Sequence, residues 1–278
     1  MSKYILAEMT WPEAREAAGE NRVAVIPVGT IEDHGYHLPL DTDVVLCTEV
    51  ARRGCALVPE HVVLVPSINH GFSPHHMDFP GTISIDGETF TRYVMDVTRS
   101  LAHHGFQRMI ILNGHGSNRP FLQTVARLTT VETPAFCVAV SHWDLVPLKE
   151  VATQLREGPV PGSMAHACEL ETSMYLAIRP ELVQMDKAVD EVFRTTSDYF
   201  WGDLISSGGR RSSAGWMEWW SALTASGALG TPTLASGAKG EQMLTAAARG
   251  LADLVLEVKN WERRPRVDHH LRQDSHAA

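Results

Sequence analysis

The chain reads as an α/β protein, a doubly wound and mostly parallel sheet flanked by helices on both faces. Three observations predict this class. Four short aliphatic runs, at 23–29, 62–67, 108–114 and 135–141, are continuous rather than alternating, the pattern of strands covered on both faces. Helical patterns occupy the intervals at 44–54, 87–104 and 117–130. Strands that alternate with helices imply βαβ units, hence parallel pairing. An apolar fraction of 44% supplies an ordinary globular core.

The strand runs are VAVIPVG, VVLVPS, RMIILNG and AFCVAVS, rich in β-branched and aliphatic residues. In the helical stretch 87–104, Phe90, Val94, Val97 and Leu101 are spaced four, three and four apart and form one face. Gly105 is a suitable residue to end it. Beyond Pro161 a further helix is predicted over 164–177, stopping before Pro180. Residues 195–232 are rich in Ser, Gly and Trp without a period and read as a long loop, of a length that compact domains keep for a purpose. A last helix is predicted over 238–261, followed by a polar, frayed tail at 263–278. With no internal repeat and no linker, a single domain over 1–262 is expected.

Net charge is −9 and the basic residues are scattered, which argues against nucleic acid or an anionic membrane as partner. No apolar run approaches the roughly 18 residues of a membrane span, and the N-terminus has acidic residues early and no apolar signal core. Cys47, Cys55, Cys137 and Cys168 show no C-x-x-C spacing and fit reduced thiols in a cytoplasmic protein.

Fourteen histidines are the more informative signal, because many fall in glycine- or proline-punctuated segments. The first such segment, GTIEDHGYHLPLDTD (29–43), directly follows a predicted strand and therefore sits at the carboxyl edge where open α/β sheets bind ligands. It gathers Glu32, Asp33, His34, His37, Asp41 and Asp43, and such carboxylates and imidazoles suit Zn²⁺, Mn²⁺ or Fe²⁺. Thr42 or Asp43 also suits a plain helix cap. The second, NGHGSN (113–118), presents His115 between two glycines at the same edge, although Asn113 and Ser117 suit a simple turn as well. The third, HACELETS (166–173), lies on a helical pattern. There Glu169 shares a face with His166 and Glu171 does not, and a surface pair reads equally well.

These segments, in this order and together with FPGTISID (79–86), Pro180-Glu181-Leu182-Val183 and SGALGTPTLASGAKG (226–240), resemble the creatininase (creatinine amidohydrolase) family over roughly residues 10–255. The resemblance implies a creatininase-like doubly wound fold, two divalent metal ions per subunit, and hydrolysis of an amide-type C–N bond by metal-activated water, in a homo-oligomer for which a hexamer is one expected form. Carried over by position, Glu32 and His115 bind one ion, His34 the other, and Asp43 bridges. Creatininases proper place a glutamate two residues beyond the motif histidine, where this chain has Ser117; Glu169 is then the first candidate to complete the second site, with Glu171 in reserve. His166 becomes the proton shuttle, backed by Glu169 or Glu171. Cys168 and Asp33 stand where glycine and glutamine are common.

Two dications answer the two difficulties of amide hydrolysis, a weak nucleophile and a charged tetrahedral oxygen, and a histidine can protonate the leaving nitrogen. Trp143 could form an aromatic wall, with His75, His76 and Ser117 lining the pocket. Trp201, Trp216, Trp219 and Trp220 suit either a lid or a subunit contact. Creatinine itself is disfavoured as substrate, because creatininases proper carry a tryptophan where this chain has Gly162. The substrate expected is a small cyclic amide, imide, formamide or related molecule. The alternatives are trimming of a small modified peptide, or metal binding without turnover.

Overall fold

The computed structural model describes residues 3–192, 197–205 and 212–270. Strands β1 (Val23–Val28), β2 (Val62–Leu64), β3 (Arg108–Asn113) and β4 (Phe136–Ser141) lie in the order β2-β1-β3-β4 and all pair in parallel. The predicted second strand is shortened at Leu64 because Pro66 has no N–H to give the ladder. Successive side chains leave opposite faces of the sheet. Val23, Val25, Ile110 and Leu112 enter one core with helices α2 (Thr42–Leu57), α5 (Val146–Leu155), α6 (Glu169–Ile178) and α8 (Gly237–Asn260). Ala24, Ile26, Met109 and Ile111 enter the other with α1 (Trp11–Gly19), α3 (Gly87–His103) and α4 (Arg119–Glu132). Residues such as Ile111 are fully buried, each contributing about 1.5–3 kcal/mol by leaving water.

Helices α1 and α5 are not among the predicted elements, yet each begins on a recognisable signal. Glu13 accepts the backbone N–H of Thr10 at 2.7 Å in a capping box, and Pro12 and Pro147 stand in the first turns. The predicted helix over 164–177 divides. Met164–His166 form β5, antiparallel to β6 (Leu229–Gly230), and the helix begins only at Glu169. Ala167 adopts φ +48°, a left-handed conformation that no helix or strand can continue through, so the chain turns there. The long loop is interrupted by α7 (Trp220–Leu223) as well as β6. Parts of that loop and of the predicted tail, residues 195–196, 206–211 and 271–278, lie outside the described residues. No helix among the described residues is long and apolar enough to cross a membrane.

The strand order places the site. From β1 the chain crosses to β2 on one side and later to β3 on the other, so the carboxyl ends of β1 and β3 form a topological switch point, where such sheets open a crevice.

Candidate active site

Glu32 and His34 follow β1, and His115 follows β3. Asp43 stands in the first turn of α2, which packs directly on both strand ends because glycines face it. A Cβ at Gly29 would lie 2.7 Å from Val44 Cα, and one at Gly114 would lie 2.6 Å from the Asp43 carbonyl oxygen. The FPGT segment braces the same loop, with Ile83 donating to the Ile31 carbonyl and Thr82 Oγ1 accepting from the Asp33 N–H.

The four side chains converge. His115 Nδ1 lies 3.1 Å from Glu32 Oε1 and 3.2 Å from Asp43 Oδ2, while His34 Nε2 lies 3.2 Å from Asp43 Oδ1. Asp43 thus presents one oxygen to each histidine. Carbonyl oxygens fix the tautomers, since a carbonyl can only accept. His115 Nε2 donates to Phe72 O (3.1 Å), His34 Nδ1 to Glu32 O (3.3 Å) and His166 Nε2 to Asp33 O (2.8 Å). Each ring therefore turns its other nitrogen inward, where it offers a lone pair once deprotonated, the arrangement found around metal-ligating imidazoles.

Three groups of side chains bring ligand atoms within 4.8 Å of one another: Glu32, Asp43 and His115; His34, His166 and Glu171; and Glu32, His76 and His166. Apart from these imidazole–carboxylate contacts, Glu32 Oε1, His34 Nε2 and Asp43 Oδ2 are buried without a hydrogen-bond partner. With the imidazoles deprotonated these buried carboxylate oxygens have no donor, which is costly, and a dication removes that cost, so the residues present fit a metal centre.

Glu169 is not brought to this centre. Its carboxylate meets Lys239 Nζ at 2.6 Å and accepts the backbone N–H groups of Glu157 and Gly158. The expectation that Glu169 leads as ligand to the second ion assumes a helix running through His166. Since α6 starts at Glu169, the face that looks inward carries Glu171 instead. Glu171 also accepts the N–H of its own N-cap, Cys168, at 3.4 Å.

Electrostatics follow from burial and proximity. Burial opposes charge on His34 and His115, yet Asp43 facing the first and Glu32 with Asp43 facing the second outweigh it, raising both to about 10 before a metal binds. Burial alone would raise Asp43, but His34 and His115 hold it below the usual carboxylate range. Burial lifts Glu171 and Asp33 each to about 7. His166 and His76 lie well below their usual value, first through burial and then through neighbouring imidazoles.

A cavity of about 220 Å³ opens over the cluster, and the predicted Trp143, His76 and Ser117 all line it, as does His75. Ser117 Oγ lies 3.1 Å from His75 Nε2, and His76 Nδ1 lies 2.6 Å from Asp33 Oδ1. Trp220 closes one side, stacked on His76 with ring centroids 4.7 Å apart and planes at 25°. Trp201 and Trp216 complete that wall, whereas Trp219 faces outward and is half exposed. Sequence reasoning leaves Trp220 open between lid and subunit contact, and it does not find Asp203, which also lines the cavity. No local signal marks either one, because both reach the site through a long, aperiodic segment.

A switch-point crevice holding buried carboxylates and inward-facing imidazoles defines a metal-dependent hydrolase of the α/β type. The chain belongs to the creatininase family, whose profile, described as creatinine amidohydrolase, matches residues 7–255. It is accordingly a metal-dependent amidohydrolase. The creatinine amidohydrolase of Pseudomonas putida is 34% identical over 274 residues, covering 92% of this chain and 98% of that one. A mycofactocin precursor peptide peptidase of Mycolicibacterium smegmatis is 30% identical over 244 residues, covering 86% and 85% respectively. Among solved structures, a manganese form of creatininase is similar with TM-score 0.76 at 31% identity, covering 92% of this chain and 98% of that chain. A glutamate-to-glutamine creatininase variant of the zinc–zinc type gives 0.75 at 31%, with the same coverage.

Proposed function

We propose that the protein hydrolyses a non-peptide amide-type C–N bond in a small molecule, using two divalent ions per chain. Glu32, Asp43 and His115 would hold one ion; His34, Glu171 and the second oxygen of Asp43 would hold the other. When bound, such ions lower the pKa of water and polarise a carbonyl. The rest is done by the protein's own groups. His166, neutral because it is buried, accepts a proton at Nδ1 and returns it to the leaving nitrogen, while its Nε2–H stays on Asp33 O. Glu171 lies beside it, and Trp143 and Trp220 keep bulk water from the reacting groups.

The observation that carries this reading is the buried cluster of ligand atoms, Glu32 Oε1, His34 Nε2 and Asp43 Oδ2, which face one another and His115, with Glu32 and Asp43 at the floor of one cavity. The cavity's modest volume of about 220 Å³ supports a small molecule over a peptide. The half-exposed Trp216, Met217 and Trp219, close together in the chain, support a homo-oligomer, where such aromatics are commonly buried. The test is metal analysis of protein expressed with Zn²⁺ or Mn²⁺, joined to a hydrolysis screen over cyclic amides, imides and formamides. About two ions per chain and turnover of one class are expected, with both lost in His115→Ala. A metal-free wild type, or a His115→Ala variant that keeps its ions and activity, would overturn the reading.

A further inference from the structure

The cavity over the metal-ligating cluster does not end at its tryptophan wall. A second recess adjoins it and shares Gly116, Trp143, Trp201, Asp203 and Leu204 with it, but its far side is formed by Arg119 and Asp144. The two ends differ in charge. The inner cavity is lined by Glu32, Asp43, Glu171 and Asp203, with no lysine or arginine among the described residues. At the outer end Arg119 Nη2 lies 2.5 Å from Asp144 Oδ2, and that carboxylate is shared with a second cation from outside the recess lining, Lys149, whose Nζ lies 3.3 Å from Asp144 Oδ1. Asp203 does not offset the remaining charge. It is already paired with Arg156 at 3.0 Å and accepts the N–H groups of Gly162 and Met164 at 2.9 Å each.

Arg119 is held in place by its contacts although its side chain is 40% exposed. It is the first residue of α4, directly after the loop that carries His115. Its Nη2 also donates to Ser141 Oγ at 3.2 Å, and its guanidinium carbon lies 5.8 Å from the Trp143 ring centre. Its hydrogen bonds to described residues all run through Nη2, which leaves the Nε–H and the Nη1–H groups as separate donors for a ligand. Each can give a charge-assisted hydrogen bond to one oxygen of a carboxylate.

We propose that this recess is an anion subsite, and that the natural substrate is an amide carrying a carboxylate tail, which Arg119 selects while the amide end lies over Glu32, Asp43 and His115. The identity of the amide end rests on the function proposed above; the subsite rests on the recess and its charges. Direct capture of a carboxylate by the metal centre is the competing way to prefer an anion, and a variant separates the two.

The experiment measures dissociation constants by tryptophan fluorescence for two probes, N-benzoylglycine and its neutral amide N-benzoylglycinamide, on metal-loaded wild type and on Arg119→Gln. Wild type should bind the carboxylate about tenfold or more tightly than the neutral amide, as a charge-assisted contact gives. The preference should shrink at high salt. In Arg119→Gln the ratio should fall towards one, and Arg119→Lys should recover part of it. Equal binding of the two probes by wild type overturns the subsite. A preference that persists undiminished in Arg119→Gln also overturns it, because the carboxylate is then held by the metal centre. Hydrolysis of the same probes is scored separately: binding preference without turnover of any amide would retain the subsite and count against the proposed reaction.

Discussion

Lys239 Nζ and Glu169 Oε1 lie 2.6 Å apart, with the carboxylate fully buried and the lysine also touching Glu157 and the Leu234 carbonyl. This buried pair ties α8 to the start of α6 and to the turn at Glu157–Gly158, and so sets how α6 presents Glu171. Glu169→Gln should therefore leave the metal content unchanged and cost about 1–3 kcal/mol, because a buried ammonium loses part of its compensation. Glu171→Gln should lower the bound metal towards one ion per chain with little change in the folded core. Metal analysis beside thermal unfolding reads both, and the reverse pattern would return Glu169 to the metal site.

Metal uptake should depend on pH in a definite direction. In the metal-free protein His34 and His115 are raised to about 10 by the carboxylates they face, so both carry a proton at pH 7 that a cation must displace. Affinity for Zn²⁺ or Mn²⁺ should rise from pH 7 towards 9 and uptake should release protons. The stability these raised values supply to the metal-free protein is fully present below their unfolded value, near 6.5, and is lost as pH rises through about 10. Its melting temperature should decline over that interval. Calorimetry in buffers of different ionisation enthalpy checks the proton release, and an affinity flat between pH 7 and 9 would contradict it.

His166→Ala should keep both ions and lose about 10²–10⁴-fold in kcat, the usual worth of a positioned proton carrier. The reason is the tautomer. Asp33 O fixes Nε2 as the donor, so only Nδ1 reaches the centre, 3.7 Å from Glu32 Oε1. Loss of metal together with activity in this variant would make His166 a ligand rather than a shuttle.

Gly114→Ala should harm fold and site together. The added methyl would stand 2.6 Å from the Asp43 carbonyl oxygen and 2.7 Å from Cys47 Cβ, so α2 must withdraw and take Asp43 with it. A loss of about 1–3 kcal/mol and a drop in bound metal are expected. Gly116→Ala has open space around its Cβ and serves as the comparison, with near-normal metal content expected.

Much of this protein is legible in its sequence, for local reasons. Val23–Val28 and Arg108–Asn113 are continuous aliphatic runs because both faces of their sheet are covered, and alternation with amphipathic helices forces parallel pairing. The loops holding Glu32, His34 and His115 follow those strands directly, so their place at the carboxyl edge follows from chain order alone. Only the tertiary structure shows that Glu171, and not Glu169, reaches the cluster. Helical spacing favours Glu169 with His166, but Met164–His166 pair instead with Leu229–Gly230, more than sixty residues away, and Ala167 turns the chain before α6 begins. The positions of Trp220 over His76 and of Arg119 beside Trp143 are likewise non-local. A periodicity of 3.6 or 2 reports which face of an element is buried; it carries no information about which distant segment supplies the neighbours. Those neighbours decide where a side chain at an element's end finally points.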